Sequence, residues 1–151
     1  DKMFKKILCA SDLGPRSLNA IKITISLAEK YNSFIKVLNV QEDFITKEQM
    51  MMSRVTISKI KDENIRIAKE AKKQLEILFD SLDRPANNIE ILLREGKAEK
   101  EIIETAEELG IDLIVMGTNG KDDISDYLLG NTATNVVENA LCPILIIPNI
   151  K

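Results

Sequence analysis

The chain has 151 residues, 21 basic against 24 acidic, a formal net charge of −3, and 44% hydrophobic residues. That length suits one domain with a proper core, and a balanced charge without a basic run argues against general nucleic-acid binding. Histidine is absent, which removes Ser-His-Asp and Cys-His nucleophilic systems and leaves only a hard cation, held by carboxylates, water and ligand phosphates, as a plausible metal.

Asp1-Lys2 ahead of Met3 reads as an appended remnant, leaving residues 3–149 as a single expected domain. The first apolar run, Lys6 to Ala10 (KILCA), has the length and composition of a buried strand. Arg16 to Tyr31 follows as a helix, with Leu18, Ile21, Ile25 and Ala28 on one face and Pro15 suited to its first turn. Phe34 to Val40 (FIKVLNV) is a second strand. Asp43 to Thr56 has weaker patterning: Thr46 and Gln49 form a capping-box pair, and Met50-Met51-Met52 suits packing. Ile57 to Leu82 is a long helical pattern carrying Ile60, Ile67, Ala71, Leu75, Leu78 and Leu82.

Ile89 to Arg94 (IEILLR) gives a third strand, and Gly96 supplies turn chemistry before the next helix. That helix, Ala98 to Leu109, puts Ala98, Ile102, Ala106 and Leu109 on one face and ends at Gly110 as a C-terminal cap. Its acidic positions read as a solvated face in which Lys100 pairs with Glu104. Leu113 to Met116 is a fourth strand, Thr132 to Leu141 a helix with Ala133, Val136, Val137 and Ala140, and Ile144 to Ile147 a fifth strand after Pro143. The runs fit strands covered on both faces. Cys9 (ILCA) and Cys142 (LCPIL) sit in apolar contexts and read as buried, reduced thiols. No apolar run approaches the roughly 18 residues of a membrane span, no leader pattern is visible, and a cytoplasmic protein is expected.

Strands alternating with helices imply an α/β, doubly wound, five-stranded parallel sheet with helices on both faces. Ligands of such sheets bind beyond the carboxyl ends of the strands, where chain order reverses. One segment there stands out. Of six glycines in the chain, three (Gly117, Gly120, Gly130) fall within Met116 to Thr132, MGTNGKDDISDYLLGNT. Two glycines after a strand and a third before a helix shape a loop that cradles an anion, phosphate first, on free N–H donors and a positive dipole end. Neither the G-x-G-x-x-G turn nor the G-x-x-x-x-G-K-[ST] loop occurs, which disfavours a Rossmann dinucleotide site and a Walker-type NTPase.

The spacing G-x-x-G, nine residues, then Gly130 and a polar residue resembles the nucleotide-binding members of the universal stress protein family. Met116-Gly117-Thr118-Asn119-Gly120-Lys121 is similar to the family's MGTHGR-like segment, Leu128-Leu129-Gly130 to its LLG, and Cys142 to Pro148 to its CPVLVVP ending. The resemblance runs from Met3 to Pro148 and includes Asp12 after the first strand and Val40 at the end of the second. It implies strand order 3-2-1-4-5 in an adenine nucleotide alpha hydrolase-like fold, a homodimer, and ATP, AMP or ADP as ligand, with or without Mg²⁺. By position, Gly117, Gly120, Gly130, Asn131 and Thr132 would meet phosphates, flanked by Met116, Asn119 and Lys121, while Ala10, Ser11, Asp12 and Val40 would surround adenine and ribose. Two departures matter. Asn131 replaces the usual serine or threonine, and Asp122, Asp123 and Asp126 place three carboxylates in the spacer, which repel a triphosphate unless turned outward or bridged by a cation.

The last strand is an apolar run at a sheet edge. Pairing of Ile144, Leu145, Ile146 and Ile147 with a second subunit is the simplest cover. Three functions are compatible with these features: a nucleotide-binding regulatory module, a slow ATPase or phosphotransfer enzyme, and a nucleotide-free structural dimer. For the enzyme, Asp12, Asp122 and Asp123 are candidate groups, and nothing selects among them.

Overall fold

A computed structural model describes residues 3–11, 18–41, 89–118 and 129–148, with eight positions between 65 and 80. Strands β1 (Lys6–Ala10), β2 (Phe34–Gln41), β3 (Ile89–Glu95), β4 (Leu113–Gly117) and β5 (Ile144–Ile147) form one sheet, and helices α1 (Leu18–Tyr31), α2 (Ala98–Glu108) and α3 (Asn131–Asn139) connect or flank them. Strand order is β3-β2-β1-β4-β5 and every pairing is parallel. From β1 the chain builds outward through β2 and β3 on one side, then returns to add β4 and β5 on the other. The reversal falls between β1 and β4.

Alternation along the strands divides the core into two layers. Ile7, Cys9, Ile35, Val37, Leu113 and Val115 point to one face and pack beneath Ala20, Ile21, Ile25 and Ala28 of α1. Leu8, Leu38, Ile114 and Met116 point to the other and pack under Ile102 and Ala106 of α2 and Ala133 and Val136 of α3. The central strands are buried on both faces, as expected, whereas β3 has no fully buried residue and β5 only Ile147. An edge strand is covered on fewer sides than its neighbours, so an apolar run in sequence did not imply complete burial.

Two helices end in the same device. After α1, Asn32 takes a left-handed φ of 54° and the Ser33 N–H reaches back to the Ala28 carbonyl at 3.0 Å. After α2, Gly110 takes φ 65°, its N–H meets the Glu107 carbonyl at 3.3 Å and that of Ile111 meets Ala106 at 2.9 Å. These are Schellman closures, which satisfy carbonyls that a helix end otherwise leaves open. Gly110 thus has the capping role expected of it. Gly96, at φ 142°, turns the chain from β3 into α2.

The helical pattern expected over 57–82 is met at Ile65, Arg66, Lys69, Glu70, Lys73, Glu76, Ile77 and Asp80, all helical and exposed. Its core positions, the Thr46–Gln49 pair and the methionine cluster lie outside the described residues. In α3 the helix stops at Asn139 rather than Leu141. Ala133 and Val136 are buried, while Val137 is 48% and Leu141 84% exposed. A helical stripe spaced by three and four residues places 137 on its margin. Among the described residues, no helix is long and apolar enough to cross a membrane.

Candidate functional site at the strand reversal

The carboxyl ends of β1 and β4 run side by side as far as Cys9 and Val115. Ala10 and Met116 then pack on the same face, with Val40 from the end of β2. Ser11 continues β1; its N–H donates to the Leu38 carbonyl at 2.9 Å and the residue is buried. The structure therefore brings Ala10, Ser11, Val40, Met116 and Gly117 to one edge of the sheet.

Beyond β4 the Thr118 N–H donates to the Ile147 carbonyl at 3.1 Å, and the Thr118 carbonyl accepts from the Gly130 N–H at 2.7 Å. That second bond pins the start of α3 against the end of β4. Gly130 is the N-cap, with φ −65° and ψ 166°, and it offers no side chain to the helix. The first intrahelical bond is Thr134 N–H to Gly130 carbonyl, 2.9 Å, so the N–H groups of Asn131, Thr132 and Ala133 precede the helical ladder. No acidic side chain occupies the first turn, and the positive end of the helix dipole is left without a carboxylate of its own. Thr118 completes this corner: its Oγ1 is buried with no hydrogen-bond partner among the described residues. A buried hydroxyl left unpaired costs on the order of 1–3 kcal/mol, and a polar ligand seated here would remove that cost.

Asp12, Asn119, Gly120 and Lys121, together with Asp122, Asp123 and Asp126, lie outside the described residues. Two residues that sequence reasoning passed over belong at this edge. One is Thr118, whose unpaired hydroxyl is a property of packing. The other is Asn39, only 2% exposed within a strand otherwise apolar at its buried positions. Its Nδ2 donates to the Ser11 carbonyl at 2.9 Å. The polar break in VLNV was the available signal.

Cys9 is fully buried. Burial pushes its thiol up to about 11, partly offset by a hydrogen bond with Thr24. Cys142 is half-buried rather than buried, because it sits in the turn before an edge strand. Its thiol is also raised, by burial first and then by the Asp112 carboxylate, against a backbone bond at Ile114. A cavity of about 390 Å³ is lined by Ile103, Ala106, Glu107, Ile111, Leu141 and Cys142. These residues precede β4 and β5, so it opens at the opposite end of the sheet from the glycine-flanked edge.

Comparison with known proteins adds four findings. The model of the universal stress protein family matches residues 3–148. Universal stress protein MJ0531 of Methanocaldococcus jannaschii is 30% identical over 153 residues, spanning 100% of this chain and 86% of that relative. Among solved structures, the universal stress protein UspA from Lactobacillus plantarum superposes with a TM-score of 0.81 at 22% identity, over 97% of this chain and 99% of that one. A universal stress protein solved in complex with cAMP superposes with a TM-score of 0.64 at 19% identity, over 99% and 100% of the two chains. At such identities the structural likeness speaks for the fold.

Proposed function

The chain belongs to the universal stress protein family, and from that premise we propose that it is a regulatory module that binds an adenine nucleotide at the β1–β4 reversal. The observation that carries this reading is the corner built by Thr118 and α3. A buried hydroxyl unpaired among the described residues adjoins a helix start with no side-chain cap and no acid in its first turn. Both are complementary to an anion with hydrogen-bonding oxygens. Phosphates would meet Gly130, Asn131, Thr132 and Gly117 there. The apolar patch of Ala10, Val40 and Met116 would take the flat face of the base, with Ser11 at the ribose. Asp12, Asn119, Gly120 and Lys121 are proposed to complete the site. The cAMP complex of a family member of the same fold agrees with an adenine nucleotide as the ligand class.

The same reading makes the protein a homodimer through β5. The Ile147 and Pro143 carbonyls accept from Thr118, just beyond β4, and from Ile114 of β4. By strand alternation, the backbone groups of Ile144 and Ile146 are then turned to the open edge. A two-fold partner pairing there would satisfy them.

Calorimetry with ATP, with and without Mg²⁺, tests the nucleotide, alongside mass spectrometry of small molecules released on denaturation. Binding of ATP or recovery of an adenine nucleotide is expected. Absence of both would leave the nucleotide-free dimer as the better description. Sustained phosphate release with bound ATP would instead favour the slow hydrolase.

A further inference from the structure

At this edge one buried side chain joins the exit of β1 to the end of β2, and a backbone bond carries the connection on to the end of β3. Asn39 donates from Nδ2 to the Ser11 carbonyl at 2.9 Å and accepts on Oδ1 from Gln41 Nε2 at 2.6 Å. Gln41 in turn offers its carbonyl to the Gly96 N–H at 2.9 Å. The chain of bonds therefore runs from the residue after β1, through β2, to the glycine after β3. Asn39 is 2% exposed, so its amide is desolvated whether or not it is bonded, and the bonds it makes hold their geometry firmly.

The bond gives the carbonyl of buried Ser11 a partner, and it also fixes a direction that the ladder does not. Ser11 is already tied to β2 by its own N–H to the Leu38 carbonyl, so the ladder would survive an apolar residue at 39. What the Asn39 amide adds is a fixed direction for the Ser11 carbonyl, and with it the plane of the peptide that leaves β1. We propose that Asn39 is a positioning residue, which sets the β1 exit for the base and ribose half of the ligand and leaves the phosphate half to Thr118 and α3. The inference rests on the nucleotide reading above. It divides the site into two parts: one is pre-organised by side-chain bonding between the β1 exit and β2, the other by a helix start.

Titrations of wild-type protein and Asn39→Ala with ATP and, separately, with inorganic tripolyphosphate separate the two halves. Asn39→Ala is expected to weaken ATP about tenfold, the scale of a lost orienting contact, and to leave tripolyphosphate within about twofold. Equal weakening of both ligands would make Asn39 a purely structural residue, and unchanged ATP affinity would make it irrelevant; either overturns the inference while the nucleotide site stands. Wild-type protein that binds neither ligand overturns the nucleotide reading and the inference together. If wild type binds ATP alone, the phosphate half of the reading is lost; an about tenfold loss of ATP affinity in Asn39→Ala at unchanged melting temperature then supports the inference, and an unchanged affinity overturns it. Should Asn39→Ala fail to fold, Gln41→Ala, which releases Asn39 Oδ1 from the half-buried strand end, must give the same one-sided loss at smaller size, about threefold.

Discussion

Placing a carboxylate at the start of α3 should move stability and ligand affinity in opposite directions. Asn131 is the first residue of the helix, follows a glycine N-cap, and has no acid in its turn. Asn131→Asp puts a negative charge on the positive end of the dipole and should stabilise the unliganded protein by about 0.3–1 kcal/mol. For a chain of this size that is a rise in Tm of about 1–4 °C. A phosphate bound at the same helix start would lie about 6 Å away, roughly one helical turn. At that distance in water two unit charges repel by about 0.7 kcal/mol, and a phosphate of charge near −2 by about 1.4 kcal/mol. ATP affinity should therefore fall about tenfold at low salt, and by much less in 0.5 M NaCl, where screening is strong. Asn131→Ala controls for loss of the amide. Thermal melts without ligand and calorimetry at both salt concentrations read the two effects. A lower Tm for Asn131→Asp, or full ATP affinity at low salt, would refute the assignment of an anion to this helix start.

Other expectations follow from named geometry. Gly110→Ala meets no atom closer than Lys6 Nζ at 3.9 Å, but must hold φ 65°, so it should cost about 1 kcal/mol of left-handed strain in chemical denaturation, and Gly110→Asn less. Gly96→Ala should cost more, because φ 142° lies outside the left-handed well open to alanine; the 2.8 Å approach to Glu101 Oε1 is relieved by turning that flexible side chain. Because the Cys9 thiol is raised from 9.0 to about 11 in the fold, the unfolded chain loses that proton first as pH rises. Stability should then drop by about 2 kcal/mol between pH 9 and 11, a drop removed by Cys9→Ala; equal slopes for the two proteins would exclude it. Ile146→Pro deletes an N–H turned to the open edge of β5 and should abolish dimers in sedimentation, whereas Ile146→Ala, which loses only packing, should retain them. Substituting lysine at this position tests less cleanly, since Ile146 packs against the core beneath α2 and α3.

The strands were legible because each is a short apolar run, and helix ends were legible where a glycine marks them, as at Gly110. Order 3-2-1-4-5 came from the family likeness, since right-handed crossovers alone permit several doubly wound orders. Less visible were the consequences of position within the sheet. Nothing in IEILLR distinguishes an edge strand from a central one, and nothing in LCPIL predicts that Cys142 stays half-exposed while Cys9 is sealed. The candidate site divided in the same way. Glycines announced the phosphate side, but Thr118 and Asn39 gain meaning only from their neighbours: one from lacking a partner, the other from having two.

The Asp112 carboxylate accepts from the Lys5 and Lys6 N–H groups at 2.8 and 2.9 Å, across more than a hundred residues of chain. It fastens the start of β1, the middle strand of the sheet, to the approach to β4. During synthesis at about 5–20 residues per second, β1 would wait many seconds for this neighbour, able meanwhile to pair only with β2. One edge of the central strand stays open throughout, with Leu8 and Cys9 unshielded on that side. A nascent chain of this topology is thus most exposed to aggregation before β4 emerges, and its slow step should be the late insertion of β4 beside β1, a contact distant in sequence.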